Sequence, residues 1–288
     1  MGTKNEKIRA DELLGDRWKH HAEALHRHLP GGLAGDDGDD LRDAMDAIGR
    51  LRSWIATWDP LVDDPRLEAV DTHLNVAQFA LGRVADVDAI HTTVVQAADR
   101  VAFAQLATSS LQRELIHRRH SAQVQARTDV DAAALLDDIE MISGTIQFRP
   151  EAGKRAVRVL PQLAKAQWRN LLRRIEELPD PVTPEAFSRV GPATALCRDG
   201  ALDLADAVGK PARKYAKAMG RLQRHLAGLE HGVMAADFLD HRGRVGGPTS
   251  ATNAGLLRGI TLAAIAGGLE RWPDWWADAN RKKLRTWW

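Results

Sequence analysis

Lys210, Lys214, Lys217, Arg221 and Arg224 recur at intervals of four, three, four and three residues. Only an α-helix gathers that spacing onto one face. Arg213 lies beside the row, and no Asp or Glu occurs between Lys210 and Arg224. Like charges along one helix stripe repel one another and weaken the helix. The loss makes sense if a polyanion lies along the stripe. A solvated outer face is the plain alternative.

The rest of the chain sharpens that contrast. The formal net charge of the 288 residues is only +1, yet residues 1–148 hold 16 Lys/Arg against 25 Asp/Glu, net −9. Residues 149–224 hold 16 against 8, net +8, and residues 225–288 hold 8 against 6. An acidic half joined to a basic half makes a dipolar molecule with a local field that attracts anions. The single cysteine, Cys197, excludes an intramolecular disulfide and fits a reducing compartment. The first residues, MGTKNEKIRADELL, lack the apolar core of a signal peptide, and no apolar run reaches membrane-spanning length. These features predict a soluble cytoplasmic protein with no membrane contact.

Strand signals are sparse: there is one Tyr, and Ala, Leu and Arg are abundant. Helix-period patterns cover most of the chain, so the fold class is all-α. The first helix is expected from Arg9 to His28, stopping at Pro30-Gly31-Gly32, and the second from Leu41 to Trp58. A third is expected from Pro65 to Leu81, and a fourth from Val84 towards His120 with a break on the way. Another falls within Gln123–Gly144. After a loop at Gly144–Gly153 a helix begins near Pro161, read as a first-turn proline, and ends at Leu178. Glu185–Val208 reads as helical but is interrupted by Gly191-Pro192 and Gly200. Lys210–Asp240 is one long helix, Gly243–Thr252 a flexible loop, and Gly255–Arg271 and Asp274–Trp288 the last helices. Weak echoes between the halves, Arg50-Leu51-Arg52 with Leu196-Cys197-Arg198 among them, suggest a duplicated four-helix unit with halves at about 1–148 and 149–288 of a single domain.

At these residues the chain resembles the CHAD family, an α-helical domain named for its histidines, and within it the type fused behind CYTH phosphohydrolase domains in actinobacteria. Val208-Gly209-Lys210-Pro211-Ala212-Arg213-Lys214 is similar to that type's VGKPARR segment. Leu222-Gln223, Leu226-Ala227 and Ala235-Ala236-Asp237-Phe238-Leu239 resemble the helix that follows it. Val159-Leu160-Pro161 and Trp168-Arg169-Asn170-Leu171-Leu172-Arg173-Arg174 resemble an upstream helix, and Arg271-Trp272-Pro273 and Lys283-Leu284-Arg285 the C-terminal end. Arg50-Leu51-Arg52-Ser53 and Leu81-Gly82 with Asp86-Val87-Asp88 carry a thinner match in the first half. The resemblance covers about residues 40–288.

The departures are as informative. Arg42 stands where the family has its first histidine, and Ser188 where it has the second-half one. Further basic family positions fall on Met45, Gly49, Gly191, Ala195 and Leu196, whereas Arg189, Cys197 and Arg198 remain. His231 stands for a family Asp and Ala85 for a family Arg. The chain is a CHAD-like sequence without its name-giving histidines.

The family binds inorganic polyphosphate along a basic channel through its pseudo-symmetric helical core and is found with polyphosphate granules. The resemblance therefore implies a polyphosphate-binding module without catalysis or cofactor. Its implied contacts are Lys210, Arg213, Lys214, Lys217, Arg221 and Arg224, with a second basic face at Arg158, Lys165, Arg169 and Arg173. Arg42, Arg50, Arg52, Arg189 and Arg198 stand at positions matching basic motif residues or, for Arg42, the lost histidine. The lost histidines and the acidic first half support a competing expectation, a diverged scaffold that meets a protein partner. Nucleic acid is disfavoured because the basic rows lack interleaved aromatic or amide side chains. An enzyme is disfavoured because no paired carboxylates, nucleophile motif or Gly-rich phosphate loop is evident.

Other residues have plainer expectations. His20, His21, His26 and His28 are read as surface histidines, because no carboxylate or Cys completes a metal set, and His117 and His120 as a solvated face. Cys197 is expected as a buried small residue, and Asp86 and Asp88 as structural groups. Trp272 and Trp276 share a face that packs on the bundle, and Trp287 and Trp288 form a candidate exposed docking patch.

Overall fold

The helical periodicity in the sequence becomes an all-α structure. The computed structural model describes residues 8–35, 38–101 and 108–288, and among them backbone pairing outside helices and turns is limited to two isolated bridges. α1 (Ala10–Ala34), α2 (Gly38–Trp58), α3 (Arg66–Ala98) and α4 (Thr108–Asp129) follow in order, each packed on the next. α5 (Ala132–Ile142) returns onto α1 and α3. The second group repeats the order. α6 (Ala156–Glu176) packs on α7 (Val190–Asp203), α7 on α9 (Lys210–Val245), and α9 on α10 (Pro248–Ala279), with the short α8 (Ala205–Val208) between α7 and α9.

Across the groups, α2 meets α7 and α3 meets α9. α1 likewise meets α6. The segments leading into α1 and α6 pair with each other. The Ala10 N–H donates to the Lys154 carbonyl and the Ala156 N–H to the Ile8 carbonyl, both at 2.9 Å.

α7 is the seam between the groups, and its sequence explains how. Val190, Ala193, Cys197 and Ala201 recur at helical spacing and bury against α9. Asp199 and Asp203, one turn apart, lie on the other side and are both buried. Buried carboxylates must be hydrogen-bonded to be tolerated. The Ser53 hydroxyl of α2 donates to Asp199 at 3.0 Å. The Trp58 indole N–H donates to Asp203 at 2.9 Å, and His21 Nε2 of α1 lies 3.3 Å from its other oxygen. Gly200 also faces α2, where a Cβ would stand in ordinary contact with the Thr57 methyl at 3.4 Å.

Several boundaries differ from expectation, and prolines and glycines account for most of them. α1 does not stop at Pro30 but runs on to Ala34. Its Gly31-Gly32 pair is a contact point, since Cβ atoms there would meet Asp40 Oδ2 at 2.1 Å and the Leu41 Cα at 3.3 Å. Leu29 and Leu33 are buried on either side, so packing holds the helix through the hydrogen bond that Pro30 cannot make. Pro161 lies inside α6 and is itself buried, and Pro273 lies inside α10, which makes one helix of the expected two. α3 passes through Leu81-Gly82 without a break, and the expected break before His120 falls after Ala98, partly outside the described residues. The helix expected within Gln123–Gly144 is divided between α4 and α5, where Asp131 caps α5 by accepting from the Ala134 N–H. α9 continues to Val245, replacing most of the expected flexible loop with helix.

The tryptophan expectations divide. Trp272 is buried against Phe187, with ring centroids 4.6 Å apart, and Trp276 stacks on Trp168 at 5.4 Å. Trp287 and Trp288 do not form an exposed patch. Both are half-buried and set their edges against the buried Tyr215 ring, at 5.8 and 5.0 Å.

Removing the Asp203 carboxylate should leave the Trp58 N–H and His21 without their buried partner. Asp203→Ala is expected to lower unfolding free energy by about 2–4 kcal/mol. Asp206→Ala, which removes only a half-exposed ion pair with Arg17 and Arg213, should cost about 1 kcal/mol or less. Urea unfolding of the two variants checks the difference, and equal midpoints would contradict the role of the seam.

Candidate anion-binding surface

α9 begins at Lys210 with Pro211 in its first turn, where the missing N–H costs no helical hydrogen bond. Its buried face, including Tyr215, Met219, Leu222 and Leu226, is held by α7 and α10. The opposite face is therefore committed to solvent. Lys210, Lys214, Lys217, Arg221 and Arg224 are all exposed on it, and Arg213 is exposed beside them. Arg213 has an ion pair, with Asp206 at 3.2 Å. Among the described residues, the other five have no hydrogen-bonding or ion-pair partner.

The second basic face lies on α6. Arg158, Arg169 and Arg173 are exposed and Lys165 is half-buried. Arg173 donates to the Asn170 side chain at 2.9 Å, and the other three have no partner among the described residues. α6 and α9 touch through Trp168 and Tyr215, whose ring centroids are 6.2 Å apart. At 100° per residue the α9 stripe lies roughly 140° round its helix from Tyr215, and the α6 stripe roughly 100° round from Trp168. The aromatic contact therefore does not bring the two stripes together.

The remaining candidate arginines are differently placed. Arg42 pairs with Asp39 at 2.9 Å and Asp43 at 3.3 Å, Arg50 with Asp46 at 2.7 Å, and Arg52 with Asp71 at 3.0 Å. Arg198 is held by Asp199 at 2.7 Å, reaches Asp46 at 3.6 Å, and donates to Gln223 of α9 at 2.7 Å. Burial raises the pKa of Asp199, and the Arg198 hydrogen bond works against that rise. Arg189 is exposed before α7 and unpaired among the described residues. The cations near the acidic half are thus neutralised locally, and those on α9 and α6 largely are not.

The histidines expected on the surface also divide. His20 and His26 are exposed, as are His117 and His120. His21 is buried at the seam, because its helix face meets α7 and Asp203 accepts it there, and His28 is half-buried with Nδ1 2.8 Å from Asp40. Among the described residues no three His, Cys, Asp or Glu side chains group as a metal set. Cys197 is buried, and burial pushes its thiol up to about 12. Asp88 pairs with Arg119 of α4 at 2.8 Å. Asp86 is pushed up by burial and drawn back by His231.

Sequence reasoning passed over the groups that organise this surface. Asp199, Asp203, Asp46 and Gln223 fix α7 against α2 and α9. The available signal was Asp199 and Asp203 one turn apart on a helix whose other face is apolar. It also passed over the continuation of the α9 face beyond Arg224. There a cavity of about 540 Å³ opens between α3, α9 and α10. His225 lies at its edge and stacks on Trp275 with ring centroids 4.3 Å apart. Burial lowers the His225 pKa, and Arg224, Arg271 and Arg221 lower it further.

A sequence model described as the CHAD domain matches residues 17–240. The structure is similar to that of PptA from Streptomyces chartreusis, with a TM-score of 0.72 at 18% identity, covering 93% of this chain and 99% of that one. It is similar also to the CHAD domain from the plant Ricinus communis, with a TM-score of 0.67 at 20% identity, covering 92% of this chain and 93% of that one. No curated protein sequence matches. At these identities the two structures establish the likeness of fold.

The His225 ring should report occupancy of the stripe. In the free protein its titration, followed by NMR, is expected below the ordinary 6.5. A polyanion on the stripe offsets Arg221 and Arg224 and should move the midpoint upward. A midpoint that stays fixed while a polyanion binds would place the ligand elsewhere.

Proposed function

Because the chain belongs to the CHAD family, we propose that it binds inorganic polyphosphate, or a similar polyanion, on the exposed face of α9 and performs no chemistry on it. The observation that carries this reading is the unpaired row Lys210, Lys214, Lys217, Arg221 and Arg224. A flexible polyanion gains from many charge-assisted contacts, and each phosphate neutralised releases condensed counterions. Such contacts need no preformed pocket, only regularly spaced cations on a rigid element. The helix supplies these at a rise of about 1.5 Å per residue. Arg213, Arg189 and the α6 set Arg158, Lys165, Arg169 and Arg173 extend the positive surface. Arg42, Arg50, Arg52 and Arg198 contribute to the field only to the extent that a ligand can draw them from their carboxylates. Binding without catalysis is supported by the nature of the stripe, which has no carboxylate or nucleophile among its cations. It is supported also by Cys197, whose high pKa and burial keep it from acting as a thiolate. Association with polyphosphate granules follows from the same reading.

A second reading, a scaffold for a protein partner, is favoured by one observation. The four arginines at the family's motif positions in α2 and α7 are already satisfied by acids of this chain.

Titration with long-chain polyphosphate at two salt concentrations separates the readings. Under the first, the logarithm of the affinity falls steeply with that of salt concentration. The Lys214→Glu/Lys217→Glu/Arg221→Glu variant then loses about a hundredfold or more. Unchanged affinity in the variant would remove the ligand from α9. No binding to the wild-type protein at low salt would favour the scaffold.

A further inference from the structure

The cavity beyond Arg224 differs in kind from the stripe that leads to it. Three exposed arginines line it: Arg100 from the turn that follows α3, Arg224 from α9 and Arg271 from α10. None of the three has a carboxylate partner among the described residues. The carboxylate in the lining, Asp88, is already held by Arg119. Arg271 donates from Nε to the Gly267 carbonyl at 3.0 Å, which orients its remaining N–H groups, and its guanidinium lies 5.6 Å from the centre of the Trp275 ring.

The rest of the lining is of another character. Leu229 and Ile265, buried, and Ile260, half-buried, give it an apolar surface, and the exposed Gln96 side chain, unpartnered among the described residues, adds a hydrogen-bonding group to the lining. Glycines make the room. Gly228 follows Arg224 by one turn on the same face of α9, and a Cβ built there meets nothing within 4 Å. The volume of about 540 Å³ is within the ~300–1,000 Å³ usual for small-molecule sites. α10, which supplies Arg271, Trp275 and most of the apolar wall, lies beyond the residues matched by the family model.

A bare phosphate chain would satisfy the arginines but leave the apolar wall against charge. A purely apolar ligand would do the reverse. We infer that the cavity between α3, α9 and α10 is a second anion site. It takes a compact phosphate ester with an aromatic body, of nucleoside di- or triphosphate chemistry. The phosphates lie on Arg100, Arg224 and Arg271, where planar guanidinium forks match phosphate oxygens. The aromatic body lies on the Leu229, Ile260 and Ile265 wall within reach of Gln96. This site shares only Arg224 with the polyphosphate stripe and does not depend on that reading.

The test compares ATP and tripolyphosphate by calorimetry at low salt. The proteins are the wild type, Gly228→Leu, Arg100→Gln/Arg271→Gln, and the Lys214→Glu/Lys217→Glu/Arg221→Glu variant. Gly228→Leu projects an apolar side chain into the cavity, from a position where a Cβ meets nothing within 4 Å, and improves the helix propensity of α9. The wild-type protein should bind ATP about tenfold or more tighter than tripolyphosphate. Gly228→Leu and the double arginine variant should each weaken ATP by about tenfold or more, while long-chain polyphosphate binding to Gly228→Leu is retained. Three results would overturn the inference: tripolyphosphate binding as tightly as ATP, ATP binding unaffected by Gly228→Leu, or ATP binding lost only in the stripe variant. A stripe variant that keeps its polyphosphate affinity would defeat the polyphosphate reading alone.

Discussion

Two buried carboxylates on a 14-residue helix govern how this molecule is put together. α7 has helices on both sides and cannot bury apolar surface against both with a single stripe. It gives its apolar stripe to α9 and meets α1 and α2 with Asp199 and Asp203. A carboxylate placed there is costly unless each oxygen is matched, and that requirement dictates geometry more strictly than an apolar contact would. Trp58, Ser53 and His21 must arrive at fixed positions, so α1 and α2 are set in register on the second group of helices.

That seam also decides which cations are free. Arg198, one residue before Asp199, is drawn to it and to Asp46, and Asp46 is shared with Arg50. Positive charge at the boundary between the groups is therefore consumed by the acidic half. α9 lies on the far side of α7 and beyond reach of most of those carboxylates. Its row stays uncompensated, and the difference between a net −9 half and a net +8 segment becomes a field in space instead of cancelling locally. The self-repulsion of the row is borne by the other face of the helix, where Tyr215, Met219, Leu222 and Leu226 are buried.

Much of this was legible in the residues. The row from Lys210 to Arg224 declared both its helix and its exposed face, because a periodic run of charge has no alternative periodicity to fit. α2 and α9 began close to where their patterns began, and the duplicated order of packing was foreshadowed by faint echoes. The failures share one cause. Pro30, Gly31, Gly32, Gly82 and Pro273 were read by local propensity as ends of helices, and in each case the helix continues because its neighbours supply more packing than the proline or glycine removes. Gly31 and Gly32 are needed for the approach of α2 to α1, a property of two helices that one segment cannot express. The burial of His21 and the pairing of Arg52 with Asp71 depend likewise on groups distant in sequence or on another helix. Trp287 and Trp288 looked like a surface patch because Tyr215, the ring they cover, lies about seventy residues earlier.

The length of α9 connects the two surfaces it carries. Over its first four turns the face opposite α7 is open, and cations can spread along it with water on every side. Further along, α3 and α10 pack on either side of α9 and line the cleft. The sequence changes where the surroundings change: after Arg224 the next position on that face is Gly228, followed by His231 and Gly232. Gly232 permits the contact with Ile265, where even a Cβ would stand 2.9 Å from its Cγ1, and Gly228 leaves its space unfilled. The two glycines therefore do different work. One is required by packing, and the other opens a volume that packing alone does not explain. Arg224 stands at the point where the open stripe becomes a half-open cleft, and a ligand held on either side of it feels the same guanidinium. The physical distinction between the two sites is apolar surface. Along the stripe water and salt screen each contact, so affinity comes from their number. In the cleft the arginines are solvated too, and the added gain is the apolar surface that a ligand can cover.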